Sequence, residues 1–256
     1  MSKLEIHQIP VLNDNYLYLI KDPDSDCVAI VDPAISEPVL EKLDELGWSL
    51  THILNTHHHM DHTGANLELK AKTGCKIVGS ASDADRIPGI DIQLSDGDTF
   101  DFGTQRAKIF DVSGHTKGHI AYWFENSDAL FCGDTLFALG CGRLFEGTPA
   151  KMWESLSKLK DLPENTKVCC AHEYTEANAH FAMTIEPQNP ALRKRFDDIQ
   201  TLRSQGLPTV PSTLGEERAT NPFLRPDSAD IQETLGMRGA PLVDVFAEIR
   251  ARKDNF

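Results

Sequence analysis

No run of about 18 consecutive apolar residues, the length a helix needs to cross a bilayer, occurs in this chain. A membrane-spanning segment is therefore not expected. The opening residues, Met1-Ser2-Lys3-Leu4-Glu5-Ile6-His7, lack the apolar core of an export signal, so a cytoplasmic location is expected, in a bacterial type of cell as the simplest case. Basic charge is scarce: 25 Lys and Arg stand against 39 Asp and Glu, for a formal net charge of −14. Such a composition supplies no general cationic face for a nucleic-acid backbone or an anionic membrane. An anionic substrate would require a local basic cluster to offset the global repulsion. The six cysteines, Cys27, Cys75, Cys132, Cys141, Cys169 and Cys170, form no C-x-x-C pair. Without an export signal they read as free thiols. Cys132 reads as a small buried hydrophobe. Internal repeats and low-complexity tracts are also absent.

The 256 residues suffice for one large domain, or for one of about 150–180 residues with a smaller companion. Short runs bounded by Asp, Gly, Pro or Asn predict strands at Glu5–Ile9, Tyr16–Lys21, Val28–Val31, Leu50–Leu54, Lys76–Gly79, Ala107–Val112, Ile120–Phe124, Leu130–Cys132 and Lys167–Cys170. Helical patterns fall at Pro38–Leu46, Gly64–Thr73 and Ala150–Leu159, the last entered through Thr148-Pro149. Beyond His172 the texture changes. Glu173–Ile185, Pro190–Gln205, Ser228–Leu235 and Pro241–Arg252 read as helices, with no clear strand, and residues 206–213 as an extended linker. A layered α/β domain over residues 1–172, followed by a smaller all-helical domain over 173–256, is expected.

Residues 56–62 read Thr56-His57-His58-His59-Met60-Asp61-His62. Imidazole and carboxylate at this density suit a borderline divalent ion such as zinc, iron or manganese. The segment follows a predicted strand, where α/β proteins build their sites. His115, Asp134 and His172 each stand just past another predicted strand. Taken singly, each is as well explained as a turn or cap residue. Taken with the dense cluster, they form a ligand set.

Thr56-His57-x-His59-x-Asp61-His62, followed in order by His115, Asp134 and His172, resembles the metallo-β-lactamase superfamily, and the Asp32-Pro33 turn agrees. The resemblance implies an αββα sandwich with a two-metal site at one sheet edge. Further blocks, Leu139 to Gly147, His172-Glu173-Tyr174-Thr175, Asn221 to Arg225 and Arg250 to Phe256, are similar to the glyoxalase II family of hydroxyacylglutathione hydrolases over essentially the whole chain. That family resemblance allocates His57, His59 and His115 to one metal. It allocates Asp61, His62 and His172 to the second, with Asp134 bridging both. His58 stands outside the set, as does His119, a candidate for orienting the ligand loop. The implied activity is hydrolysis of S-D-lactoylglutathione, an S-2-hydroxyacylglutathione, to glutathione and D-lactate in methylglyoxal detoxification. A metal-bridging hydroxide would attack the thioester carbonyl, with Asp61 orienting it. Thiolate leaves readily, so no strong general acid is required.

The same resemblance implies that Arg143, Phe145, Tyr174, Arg250 and Lys253 bind glutathione, Phe145 through its backbone. Where the family often has lysine and tyrosine, this chain has Arg143 and Phe145; arginine keeps the cation and gains a bidentate fork, while phenylalanine drops a hydroxyl. Zinc is the first choice of metal, with iron or manganese open, and a monomer is the simplest assembly. Among rivals, a β-lactamase would carry an export signal. A diiron oxygen-reducing enzyme would place glutamate at His59, and a tRNA-processing nuclease would want basic surface. A mononuclear iron glutathione-persulfide dioxygenase shares the His-x-His-x-Asp-His signature, but the helical C-terminal part favours glyoxalase II. A non-catalytic metal-stabilised module would prefer a closed set of four ligands rich in cysteine.

Overall fold

The computed structural model of the chain describes residues 2–256. It packs as two compact units, one of the residues up to Val112 with Lys117–Gly133, the other of Ser113–Thr116 with Asp134–Phe256.

In the first unit, β1 (Glu5–Val11), β2 (Asn15–Lys21), β3 (Val28–Val31), β4 (His52–Leu54), β5 (Lys76–Ser80) and β6 (Ile92–Leu94) form one sheet in that order. β1 to β3 pair antiparallel and β3 to β6 parallel. Parallel neighbours need a crossover. α1 (Glu37–Leu46) connects β3 to β4, and α2 (Met60–Thr63) with α3 (Asn66–Thr73) connects β4 to β5. Every residue of β2 from Asn15 to Ile20 is buried, as expected of a strand covered on both faces. Leu17 and Leu19 join Val39, Leu43 and Leu69 of the helices in one core. On the other face, Tyr18 meets Phe131 edge-on at 5.6 Å. Phe131 belongs to a second sheet, in which β7 (Thr99–Phe102), β8 (Gln105–Asp111), β9 (Ile120–Phe124) and β10 (Ala129–Gly133) run antiparallel as neighbours. The buried Tyr122 of β9 donates its hydroxyl to the carbonyl of Asn55 at 2.9 Å, tying the second sheet to the loop after β4.

The second unit contains the hairpin β11 (Leu136–Phe137) and β12 (Gly140–Cys141), helix α4 (Pro149–Lys160), and β13 (Lys167–Cys170) paired antiparallel with β14 (Ser212–Thr213). Helices α5 (Thr175–Ile185), α6 (Pro190–Ser204), α7 (Leu214–Thr220), α8 (Ala229–Leu235) and α9 (Leu242–Asp254) complete it. Thr148 caps α4 and Asn189 caps α6, each followed by a proline in the first turn. The change of sequence texture at residue 172 marks a change of element type. The packing units divide elsewhere, because β11 to β13 and α4 lie in the unit of the helices.

The expected strands and helices are present, with shifted ends, and five strands and the helices α2 and α7 go beyond them. β6, β7, the β11–β12 hairpin and β14 were not predicted. β14 falls at the end of the expected linker and exists through its pairing with β13. α7 begins at a capping box in which Thr213 and Glu216 bond each other's backbone.

The hairpin is held from below by a buried acid. Glu217, fully buried, accepts from the backbone N–H of Leu139 at 2.8 Å and from Asn221 at 3.0 Å, and pairs with Arg195 at 2.5 Å. Asn221 also donates to the carbonyls of Phe137 and Gly140, each at 3.1 Å. Glu217→Ala strands Arg195 and the Leu139 N–H together. Urea denaturation is expected to show a loss of about 3–5 kcal/mol.

Candidate metal centre and adjoining cavity

β4 ends at Leu54, and after a short loop Asp61 and His62 lie on the single helical turn α2. The loop is fixed from the end of β3. There Asp32 takes a left-handed conformation, φ 51°, which Asp tolerates better than most residues. Its buried carboxylate accepts from the Thr56 N–H at 2.7 Å and from the Thr56 hydroxyl at 2.6 Å, and lies 3.0 Å from Nδ1 of His62. Donating Nδ1–H to that carboxylate leaves the lone pair of His62 on Nε2, the form a metal ligand needs. His62 Nε2 lies 3.5 Å from Oδ2 of Asp61, and Asn15 donates to the same oxygen at 3.1 Å. The buried His57 presents Nε2 to Nδ1 of His59 at 3.1 Å, and its ring stacks on His119 at 4.5 Å. Only one of two such facing nitrogens can hold a proton between them, and a cation can take its place. His58 turns away, with Nδ1 2.9 Å from Asp83.

In the second unit Asp134 stands between two imidazoles. His115 Nε2 is 3.5 Å from one carboxylate oxygen and His172 Nε2 is 3.3 Å from the other. His115 Nδ1 lies 2.8 Å from the Arg143 carbonyl, to which it donates, again directing the Nε2 lone pair at the carboxylate. Tyr174 stacks on His172 at 4.8 Å with the rings 3° from parallel, and Phe145 meets His115 edge-on at 5.1 Å. A side chain at Gly142 would overlap the Asp134 carbonyl and crowd His115. The structure thus gathers His57, His59, Asp61 and His62 in one unit, and His115, Asp134 and His172 in the other. Each set is made of nitrogen and oxygen donors with supported orientations, and both fit divalent metal ions.

A cavity of about 470 Å³ opens beside His115 and Asp134 in the second unit, and all five expected substrate residues, Arg143, Phe145, Tyr174, Arg250 and Lys253, line it. Arg250 is buried. It bonds the Cys141 carbonyl at 2.9 Å and Asp254 at 3.0 Å, with its guanidinium over the Phe223 ring. Lys253 donates to the Ala177 carbonyl at 3.1 Å and lies over the rings of Phe181 and Phe256. Burial, with Arg250 and Arg143 close by, pulls the Lys253 ammonium down to about 8. Burial pushes the Cys141 thiol up to about 11, so it stays protonated at neutral pH. A groove of about 610 Å³ in the first unit is lined by matched ion pairs, Arg106 with Asp101 and Lys108 with Glu125, and carries no comparable cation cluster.

The model of the metallo-β-lactamase superfamily matches residues 13–172, and that of the hydroxyacylglutathione hydrolase C-terminus matches residues 173–256. The hydroxyacylglutathione hydrolase of Methylococcus capsulatus is 63% identical over 253 residues, covering 99% of each chain. That of Rhodospirillum rubrum is 57% identical over 256 residues, covering 100% of each. The chain belongs to the hydroxyacylglutathione hydrolase family. Among solved structures, ETHE1 from Myxococcus xanthus superposes with a TM-score of 0.68 at 24% identity, covering 97% of this chain and 98% of its own. That likeness concerns the fold: a metallo-β-lactamase fold with a helical C-terminal part.

This member of the family keeps polar supports that do not stand out in its sequence. Asn15 looks like an ordinary turn residue, and Asp32 reads only as part of an Asp-Pro turn. Asp32→Ala removes the acceptor of both Thr56 and His62. It is expected to weaken metal retention about 10–100-fold, measured by chelator competition with metal analysis of the dialysed protein.

Proposed function

We propose that this hydroxyacylglutathione hydrolase cleaves S-2-hydroxyacylglutathione thioesters, S-D-lactoylglutathione first among them, at a centre of two divalent metal ions. One cavity lined by the ligand-type residues His115 and Asp134 and by Arg143, Arg250 and Lys253 carries this reading. It sets hydrolytic chemistry beside a cation cluster in a chain whose net charge is −14. His57, His59 and His115 would hold one ion; Asp61, His62 and His172 the other; Asp134 would bridge them. Zinc suits this donor set, as do iron and manganese. When bound, the ions supply activation of water near neutral pH and electrophilic stabilisation of the charge that develops on the thioester oxygen.

The side chains of the protein do the rest. Asp61, steadied by Asn15, would orient the attacking oxygen. Arg143 and Lys253 would take the carboxylates of the glutathione moiety. Arg250 would add its charge while fixing the Cys141 carbonyl in the cavity wall. Tyr174 would pack on the peptide and keep His172 in place. Phe145 would contribute through its backbone. The departing thiolate needs no proton donor of its own. In domain terms, residues 1–172 would carry all of the metal ligands and residues 173–256 most of the glutathione contacts. A cytoplasmic monomer completes the proposal.

Purified protein with its metals counted is expected to hydrolyse S-D-lactoylglutathione and to lose that activity on chelation. Inert, metal-loaded protein would overturn the proposal, and oxygen uptake with glutathione persulfide would replace it with the dioxygenase reading. KM carries a second expectation. Lys253 is charged below its pKa of about 8 and neutral above it. KM should therefore rise as pH passes through about 8 and level off at the affinity that Arg143 and Arg250 still supply. Arg250→Ala with Lys253→Ala should raise KM far more than it lowers kcat, as loss of uniform binding does.

A further inference from the structure

Among the histidines of the 56–62 segment, His58 is the one whose ring turns to a different set of partners. Its Nδ1 lies 2.9 Å from Oδ2 of Asp83 and donates to it; its Nε2 lies 3.3 Å from Nη1 of Arg86 and accepts from it. Both nitrogens are engaged, so the ring cannot turn toward another partner without losing these bonds. The Asp83 side chain is fully buried, and its other oxygen takes the Arg86 guanidinium through Nε at 3.0 Å and through Nη2. The Asp83 carbonyl accepts from the N–H groups of Arg86 at 2.8 Å and Ile87 at 3.0 Å, and Ile87 sits in the main core of the first unit. The grip on His58 is therefore anchored in rigid structure.

We propose that His58 is a positioning residue. Held by Asp83 and Arg86, it sets the direction of the backbone so that His57 and His59 face one another. A second contact supports this independently. A Cβ at Gly118 would overlap the Asp83 carboxylate, so the segment leading into His119 passes directly against Asp83. The residues next to these two contacts, His57 and His119, stack on each other at 4.5 Å with the rings 13° from parallel. Asp83 thus touches the neighbour of each ring in the stack, and loosening its hold on His58 frees the ring of His57 to tilt. This proposal rests on the two-metal reading above. It adds that metal affinity depends on a histidine that never touches metal.

Cobalt(II) titrated into chelator-stripped protein tests it, with affinity read by competition and geometry by the visible d–d bands. His58→Ala is expected to bind cobalt about tenfold more weakly or worse, with altered band intensities. His58→Asn, whose amide nitrogen can occupy the place of Nδ1 and keep the bond to Asp83, should stay within about threefold of the parent. His58→Gln, which places its amide near Nε2, should behave like the alanine variant. Cobalt affinity and bands unchanged in His58→Ala would overturn the proposal, as would equal losses in the alanine and asparagine variants. If His58→Ala fails to fold, the partly exposed Arg86→Gln decides. A weaker cobalt affinity at an unchanged metal-free melting temperature supports the proposal, and an unchanged affinity overturns it. A parent protein that binds no cobalt would sink the two-metal reading instead.

Discussion

The Asp32 carboxylate is the interaction on which the first unit's metal loop depends. A buried carboxylate is costly unless its oxygens are satisfied, and here Thr56 supplies two donors and His62 a third. The arrangement runs both ways. Satisfying the acid pins the first residue of the ligand segment, and donating to it fixes the tautomer of the last. Residues 57 to 61 are thus strung between two points attached to one side chain at the end of β3. The left-handed backbone of Asp32 is the local cost of turning the carboxylate under that loop.

The second unit solves the same problem with different chemistry. Its ligand imidazoles are steered by a carbonyl for His115 and by ring stacking for His172. Its hairpin is steered by Glu217 and Asn221, which reach the backbone between Phe137 and Gly140. Cys141, at the end of that hairpin, is both a wall of the cavity and the acceptor for Arg250. The acid at the turn of the hairpin and the cation at its far end therefore act on the same few residues. A change in the helical part of the chain can shift the cavity without touching anything in it.

The parts of this structure legible in the sequence are those with local causes. β-Branched and aromatic runs between turn residues marked the long strands, and a proline after Thr148 marked the start of α4. Dense imidazole marks residues 56–62 as metal-ligand chemistry. What escaped notice has distant causes. β14 is a strand because of hydrogen bonds to β13, some 45 residues back in the chain. Asn15 acquires its role from a contact 46 residues away, and His58 from contacts 25 and 28 residues away. α7 is the exception: its Thr213 and Glu216 capping pair was present in the sequence, inside and just beyond a stretch that read as linker.

Charge in the cavity follows from the same economy of position. Arg143, Arg250 and Lys253 crowd together, and burial, with repulsion from Arg250 and Arg143 added to it, lowers the affinity of Lys253 for its proton. Of these three, Arg250 has a carboxylate partner in Asp254. The folded protein thus holds a concentration of positive charge that a dianionic ligand would relieve. Relief of existing repulsion adds to the attraction of each new ion pair. In a chain with an excess of acid elsewhere, such a cluster also gives an anion one place to settle. Arg250 is held on two sides before any ligand arrives, so little of its freedom remains to be lost on binding. Lys253 is held in its turn by the Ala177 carbonyl and the rings of Phe181 and Phe256, while the exposed Arg143 keeps more freedom. Affinity should then be divided between a preset Arg250 that shapes the wall and the cations of Arg143 and Lys253, and it is Lys253 whose charge varies near neutral pH.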